Sequence, residues 1–268
     1  MRRKLSIFIG TLCLLVARSV QAQTTGGTGP EANPGRPTVS TPATLTPVGY
    51  LQFENGLLYT EQSPEFSTRT GLNQVTKLAV SSRLQALLLI EPLVHSNQTD
   101  GSDTENHVGE VFLGVQGVLL PGERRRPTVS VSYIYRLHAS PAPEIDIGTF
   151  RQSAIVLVSD DLLGFHFDLN GIAGEPEDSG VRRAQFGQTL SVSHPVGRFT
   201  VSGEIWHFSQ PLTGGNAVGN LWAASYPVRK NLVLDTGFDH GLTSTSTQWE
   251  GFAGFTYLLP HRLWRERR

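Results

Sequence analysis

The feature that most limits the folds open to this chain is a two-residue alternation of apolar and polar side chains. It recurs through a dozen stretches between Gly49 and Leu259. In 162–174, Leu163, Phe165, Phe167 and Leu169 fall on one side, and His166, Asp168 and Asn170 on the other. In 182–194, Phe186, Leu190 and Val192 oppose Gln185, Thr189, Ser191 and Ser193. In 127–138, Val129, Val131, Tyr133, Tyr135 and Leu137 oppose Ser130, Ser132, Arg136 and His138, and in 230–240 Leu232, Leu234 and Phe238 oppose Asp235 and Asp239. Successive side chains of a strand point to opposite faces, so each stretch reads as a strand with one greasy and one polar face. Beyond the N-terminal region no run of 18 apolar residues occurs, which excludes helical membrane spans.

Twelve strands are predicted: 49–60, 70–80, 83–94, 107–120, 127–138, 149–159, 162–174, 182–194, 197–208, 216–226, 230–240 and 248–259. Most are long enough to cross a bilayer at a tilt and exceed the usual strand of a soluble sandwich. Alternation alone does not say whether the greasy face meets a core or lipid, but connection lengths do. Short links at Ser81-Ser82, Pro121 to Arg126, Asp160-Asp161, Pro195-Val196 and Pro227 to Arg229 alternate with longer polar ones near 61–69, 95–106, 139–148, 175–181, 209–215 and 241–247. Short periplasmic turns, long external loops and an even strand number are the outer-membrane pattern. The expected fold is an all-β, antiparallel, up-and-down transmembrane β-barrel of about twelve strands with both termini in the periplasm. Tyr50, Tyr59, Trp206, Phe208, Tyr226, Trp249 and Tyr257 fall near strand ends, where an aromatic girdle would sit.

The N-terminus fits export. Arg2, Arg3 and Lys4 precede an apolar stretch from Leu5 to Val16, and Val20-Gln21-Ala22 offers a cleavage site between Ala22 and Gln23. Residues 1–22 are therefore expected to be a signal peptide. Its loss removes Arg2, Arg3, Lys4 and Arg18 and takes the formal charge from −1 to −5. The single cysteine, Cys13, leaves with it, so neither disulfides nor thiolate chemistry are expected. Residues 23–47, rich in Thr, Gly and Pro, read as a flexible periplasmic linker. The barrel is assigned to 48–264 and a basic tail to 265–268. The basic clusters Arg124 to Arg126 and Arg265 to Arg268 fall in a turn and the tail, so no nucleic-acid partner is expected.

The opening strand Pro47-Val48-Gly49-Tyr50-Leu51-Gln52-Phe53-Glu54-Asn55-Gly56 and the hairpin Leu72-Asn73-Gln74-Val75-Thr76-Lys77-Leu78-Ala79-Val80-Ser81-Ser82-Arg83-Leu84-Gln85 resemble an outer-membrane transporter family related to the meta-pathway phenol-degradation outer-membrane proteins. The resemblance extends thinly over 47–260. It implies a transport-type barrel and supplies no binding residues. The chain departs from many outer-membrane barrels in continuing past Phe255 and Tyr257 to Leu263-Trp264 and the basic tail, rather than ending on the aromatic residue that barrel-assembly machinery recognises.

In a barrel the polar faces line a lumen. Glu54, Gln85, Glu110, Gln116, Arg136, His138, His166, Asp168, Asn170, Gln185, Glu204, Asp235 and Asp239 are the candidate lumen-lining residues. Acids outnumber bases among them. This suits a weakly cation-preferring pore, or else a plugged lumen in which acids pair with Lys77 and Arg136. An enzyme reading rests on His138-Ala139-Ser140, the His-x-Ser spacing of an outer-membrane phospholipase. It suffers because His138 shares the lumen face with Arg136, whereas a lipid-splitting site must face lipid. No histidine pair has metal-ligand spacing, and Gly214-Gly215 lacks the lysine of a phosphate loop. No catalytic residue, cofactor or metal is expected. The expected function is passive passage of small solutes, hydrophobic or aromatic ones among them. The expected partners are membrane lipid, the solute and the assembly machinery. The alternatives are a non-transporting structural or adhesin barrel, a lipid hydrolase and a secreted soluble β-sandwich.

Overall fold

The computed structural model describes residues 29–63, 66–98, 106–123, 126–140, 150–178, 180–212 and 214–264. The expected signal peptide, its cleavage site at Ala22 and Gln23, the first part of the linker and the basic tail lie outside them. Each alternating stretch forms a strand. In chain order these are β1 (Leu51–Glu61), β2 (Phe66–Ser81), β3 (Leu84–Gln98), β4 (Val111–Leu120), β5 (Thr128–His138), β6 (Gln152–Leu162), β7 (Phe165–Glu175), β8 (Glu177–Asp178), β9 (Val181–Arg182), β10 (Gln185–Val196), β11 (Phe199–Ser209), β12 (Asn216–Arg229), β13 (Leu232–Gly241) and β14 (Trp249–Leu258). All but β8 and β9, which form a small hairpin in a long connection, join one closed antiparallel barrel. Each barrel strand pairs with the next, β7 with β10 across the small hairpin, and β1 closes the ring against β14, with Gln52 opposite Leu258 and Glu61 opposite Trp249.

The twelve-strand expectation holds, with boundary differences that have local causes. The predicted strand 107–120 shortens to β4. His107 instead makes an isolated bridge to Val94, and Glu91 bonds Gly109 and Glu110 through its backbone. Pro92, which has no N–H to donate, lies where the β2–β3 register shifts between Leu72 and Gln74. Leu163, read as part of a strand, occupies the β6–β7 turn with a positive φ of 54°.

The two faces are sorted by chemistry. Leu57, Leu113, Val156, Leu169, Phe186, Ile205, Trp222 and Leu234 are exposed on the outside, while Gln52, Glu54, Lys77, Gln85, Gln116, Asn170, Glu204 and Asp235 are buried within. Water would solvate this arrangement poorly, because the apolar band is continuous around the ring. A bilayer accepts it: the greasy face meets acyl chains, and closure leaves no strand edge with unpaired backbone groups. The aromatic expectation needs one correction. Trp206 and Phe208 are not girdle residues but are buried at 2% and 3% exposure. They share the period-two face of Glu204, so the alternation itself turns them inward.

A charge placed mid-wall on the outer face tests this sorting. Leu190→Arg is expected to destabilise the barrel by roughly 2–4 kcal/mol, as basic residues do at a bilayer midplane. The inward Thr189→Arg places its charge among polar groups and lacks that lipid penalty. Urea titration of both variants in lipid vesicles, followed by heat-modifiable gel migration, makes the comparison. Equal effects of the outward charge and of Leu190→Ala would contradict the assignment of faces.

Candidate lumen site

Residues 31–47 of the expected periplasmic linker, 23–47, instead run inside the barrel. Prolines at 34, 37, 42 and 47 explain both the expectation and the correction. A proline has no N–H and cannot sustain a ladder, so the segment adopts neither helix nor strand. Its remaining polar backbone groups bond inward-pointing side chains of the wall. The composition of a linker here describes a chain that cannot satisfy itself and is satisfied by its surroundings.

The segment enters at the short-turn end. The Ala32 amide donates to the Lys230 carbonyl at 2.8 Å, and Lys230 pairs with Glu31 at 3.3 Å. Asn33 exchanges two bonds with the Gln52 amide at 2.8 and 2.7 Å, and the Gly35 amide donates to Glu54 at 3.0 Å. At the top of its course, level with the middle of β11, the Val39 and Ser40 amides each donate to Glu204 at 2.7 Å, and the Ser40 hydroxyl adds a third bond at 2.5 Å. The chain then descends the other wall. Thr41 exchanges bonds with Asn170 at 2.7 and 2.9 Å, and the Ala43 amide donates to Ser159 at 2.7 Å. The Pro42 carbonyl accepts from Gln116 at 3.0 Å, the Ala43 carbonyl from Ser130 at 2.5 Å, and Thr46 donates twice to Gln85 at 2.9 and 2.8 Å. Strands β1, β3, β4, β5, β6, β7, β10, β11 and β13 all contribute a partner, β10 through the Thr189 hydroxyl and β13 through Asp235.

Arg36 has a built seat. Its guanidinium pairs with Asp235 at 3.1 Å and lies 5.8 Å from the Phe252 ring centroid. It also packs against Gly56 and Gly254, which face each other across the β1–β14 closure. A Cβ on Gly56 would come within 2.3 Å of the guanidinium, and one on Gly254 within 2.9 Å. Only glycine leaves that space. Beside Arg36, Val39 packs on two small apolar clusters, one of Leu58, Leu221, Ala223 and Phe252, the other of Trp206, Phe208 and Ala217 with Ile172.

The remaining candidates divide by height. Near the short turns, Lys77 pairs with Glu54 at 2.5 Å, and Asp168 accepts from Ser159 at 2.5 Å and lies 3.3 Å from His166 Nε2. His166 is half-buried and also contacts the exposed Asp161 at 2.8 Å. Higher, Asp239 accepts from Trp206 Nε1 at 2.6 Å, and Gln185 donates to the Ser209 carbonyl at 2.9 Å. Towards the long connections Arg136 pairs with Glu110 at 3.0 Å, and Arg69 with Glu91 at 2.7 Å. Lys77, expected as a counterion of the lumen acids, belongs to the same interior network, as do Arg69 and Glu91, which the candidate set lacks. His138 stands apart: it is exposed at the strand end, beyond a register shift between Val111 and Phe112. It does not engage Ser140, whose hydroxyl lies 3.2 Å from His107 Nε2.

Comparison with known proteins adds the fold context. Neither protein-family models nor curated proteins give a match. Among solved structures the chain is similar to an outer membrane channel from Pseudomonas putida F1, at 15% identity over 85% of this chain and 100% of that one, with a TM-score of 0.61. It is also similar to the NanC porin, at 11% identity over 78% of this chain and 100% of that one, with a TM-score of 0.52. At these identities the likeness is one of fold.

Two substitutions test the seat. Arg36→Ala strands Asp235 without its cation, and loss of one partner of a buried pair costs roughly 3–5 kcal/mol. Gly56→Leu fills the guanidinium's space. Either change is expected to make residues 31–47 cleavable by added protease while the barrel keeps its heat-modifiable migration. Continued protection in both would contradict the docking of the segment at this place.

Proposed function

We propose that the chain is an outer-membrane channel for small solutes, with both termini in the periplasm, whose lumen is closed at rest by its own residues 31–47. The carrying observation is the inverted barrel itself: an apolar exterior around a polar interior with an apolar patch of Trp206, Phe208, Phe252 and Val39. The apolar exterior suits a wall that stands in a bilayer, and the rings within give a passing solute a surface to contact. The patch suits hydrophobic or aromatic solutes, since it offers ring contacts beside the displaceable Val39. Displacing the segment breaks many bonds at once, so passage is rare until a solute competes for Glu204 or the aromatic patch.

The filled interior also favours a second reading, a structural barrel that passes nothing. Conductance in planar bilayers separates the two. The intact chain is expected to show small or infrequent openings, and Glu204→Ala, which removes three acceptor contacts from Val39 and Ser40, to open more often. A small aromatic solute is expected to quench Trp206 fluorescence in vesicles. Silence of both proteins, with no quenching, would leave the structural reading.

A further inference from the structure

Among the described residues, the basic side chains at the short-turn end that no carboxylate neutralises fall mostly on one side of the ring. Going round the barrel, the β10–β11 turn carries Arg198, the end of β12 and its link to β13 Arg229 and Lys230, the chain after β14 Arg262, and the β2–β3 turn Arg83. These positions are contiguous, because β1 joins β14 to β2. The four arginines are exposed. Among the described residues, the one carboxylate paired on this arc is Glu31, with Lys230. The opposite arc is different. In the β4–β5 turn, where Arg124 and Arg125 lie outside the described residues, Arg126 pairs with Glu123 at 2.5 Å, and the end of β6 carries the exposed Asp160 and Asp161.

Aromatic rings underlie the basic arc at the rim of the apolar band. The Arg198 guanidinium stands 4.9 Å above the Tyr226 ring, which packs on Phe199 at 5.1 Å, and Arg262 lies 5.8 Å from the Tyr50 ring. A cation held over an aromatic ring at the membrane boundary keeps its stem in the apolar zone and its charge at headgroup depth. Salt bridges within the protein would waste that placement, and on this arc they are nearly absent.

We propose that this arc is a docking surface for anionic phospholipid headgroups in the leaflet on the side of the chain's termini. Arg198 and Arg262 bind phosphate at the boundary, and Arg83 and Arg229 extend the site along the rim. The phosphodiester accepts charge-assisted bonds from guanidinium, and the lipid's glycerol backbone and acyl chains rest on Tyr226 and Phe199. At the end of β6 the exposed Asp160 offers the same headgroups no cation. The protein therefore gathers anionic lipid beside Arg198 and Arg262. The inference rests on the reading that the barrel spans a bilayer, but not on what passes through it.

The test is native mass spectrometry of the full chain released from nanodiscs containing phosphatidylcholine and phosphatidylglycerol. The wild-type chain is expected to retain phosphatidylglycerol in preference to phosphatidylcholine. The variant R83Q/R198Q/R229Q/R262Q is expected to lose that enrichment about fivefold or more, since a basic residue at an anionic surface contributes roughly 1 kcal/mol. Arg126→Gln, on the other arc, keeps it. Should the quadruple variant fail to show heat-modifiable migration, R198Q and R262Q singly give the same reading, and R198K and R262K retain most of the enrichment. Equal retention of the two lipids by the wild-type chain overturns the proposal, as does enrichment unchanged in R198Q and R262Q or lost equally in Arg126→Gln. A chain that fails to incorporate into nanodiscs at all would instead count against the membrane-spanning reading.

Discussion

Hydrogen-bond satisfaction without water governs this molecule twice. In the wall, every strand must find two neighbours, because an unpaired amide or carbonyl facing hydrocarbon costs several kcal/mol. The pairing of β1 with β14 meets that demand and removes the last edge. Inside, the same demand falls on a segment that cannot pair as a strand. There the wall's amides, hydroxyls and carboxylates take the place of a neighbouring backbone. One requirement thus yields a regular shell and an irregular filling.

The shell was legible in the sequence and the filling was not. Alternation at Leu163 to Asn170 or Val129 to His138 is a local signal, readable over a few residues, and the short and long links ordered the strands. The internal course of 31–47 depends on partners far along the chain: Arg36 with Asp235, Ser40 with Glu204, Thr41 with Asn170. Nothing within Pro34 to Pro47 distinguishes a tethered segment from a free one. A partial clue existed in the wall. Glu204 has no neighbouring base on its own face, and a buried carboxylate without a cation asks for donors from elsewhere. Trp206 and Phe208 were misplaced for a simpler reason: proximity to a strand end outweighed the face shared with Glu204.

Charge is handled by location. In the interior, acids meet bases or several neutral donors, as Glu54 meets Lys77 and Glu110 meets Arg136. This holds the filled state together through many small contacts. At the rim, by contrast, Arg198 and Arg262 lie over rings rather than carboxylates. The first arrangement makes a closed interior; the second makes a surface that faces outward to the membrane boundary.

The seat of Arg36 spans the two ends of the polypeptide. Gly56 belongs to the first barrel strand, whereas Gly254 and Asp235 come from the last two. The residue to be received lies near the start of the chain, yet its receptor does not exist until the ring has shut. Assembly is thereby given a direction: the forepart of the protein must wait outside a half-built cylinder, and its arrival within marks a cylinder that has been completed.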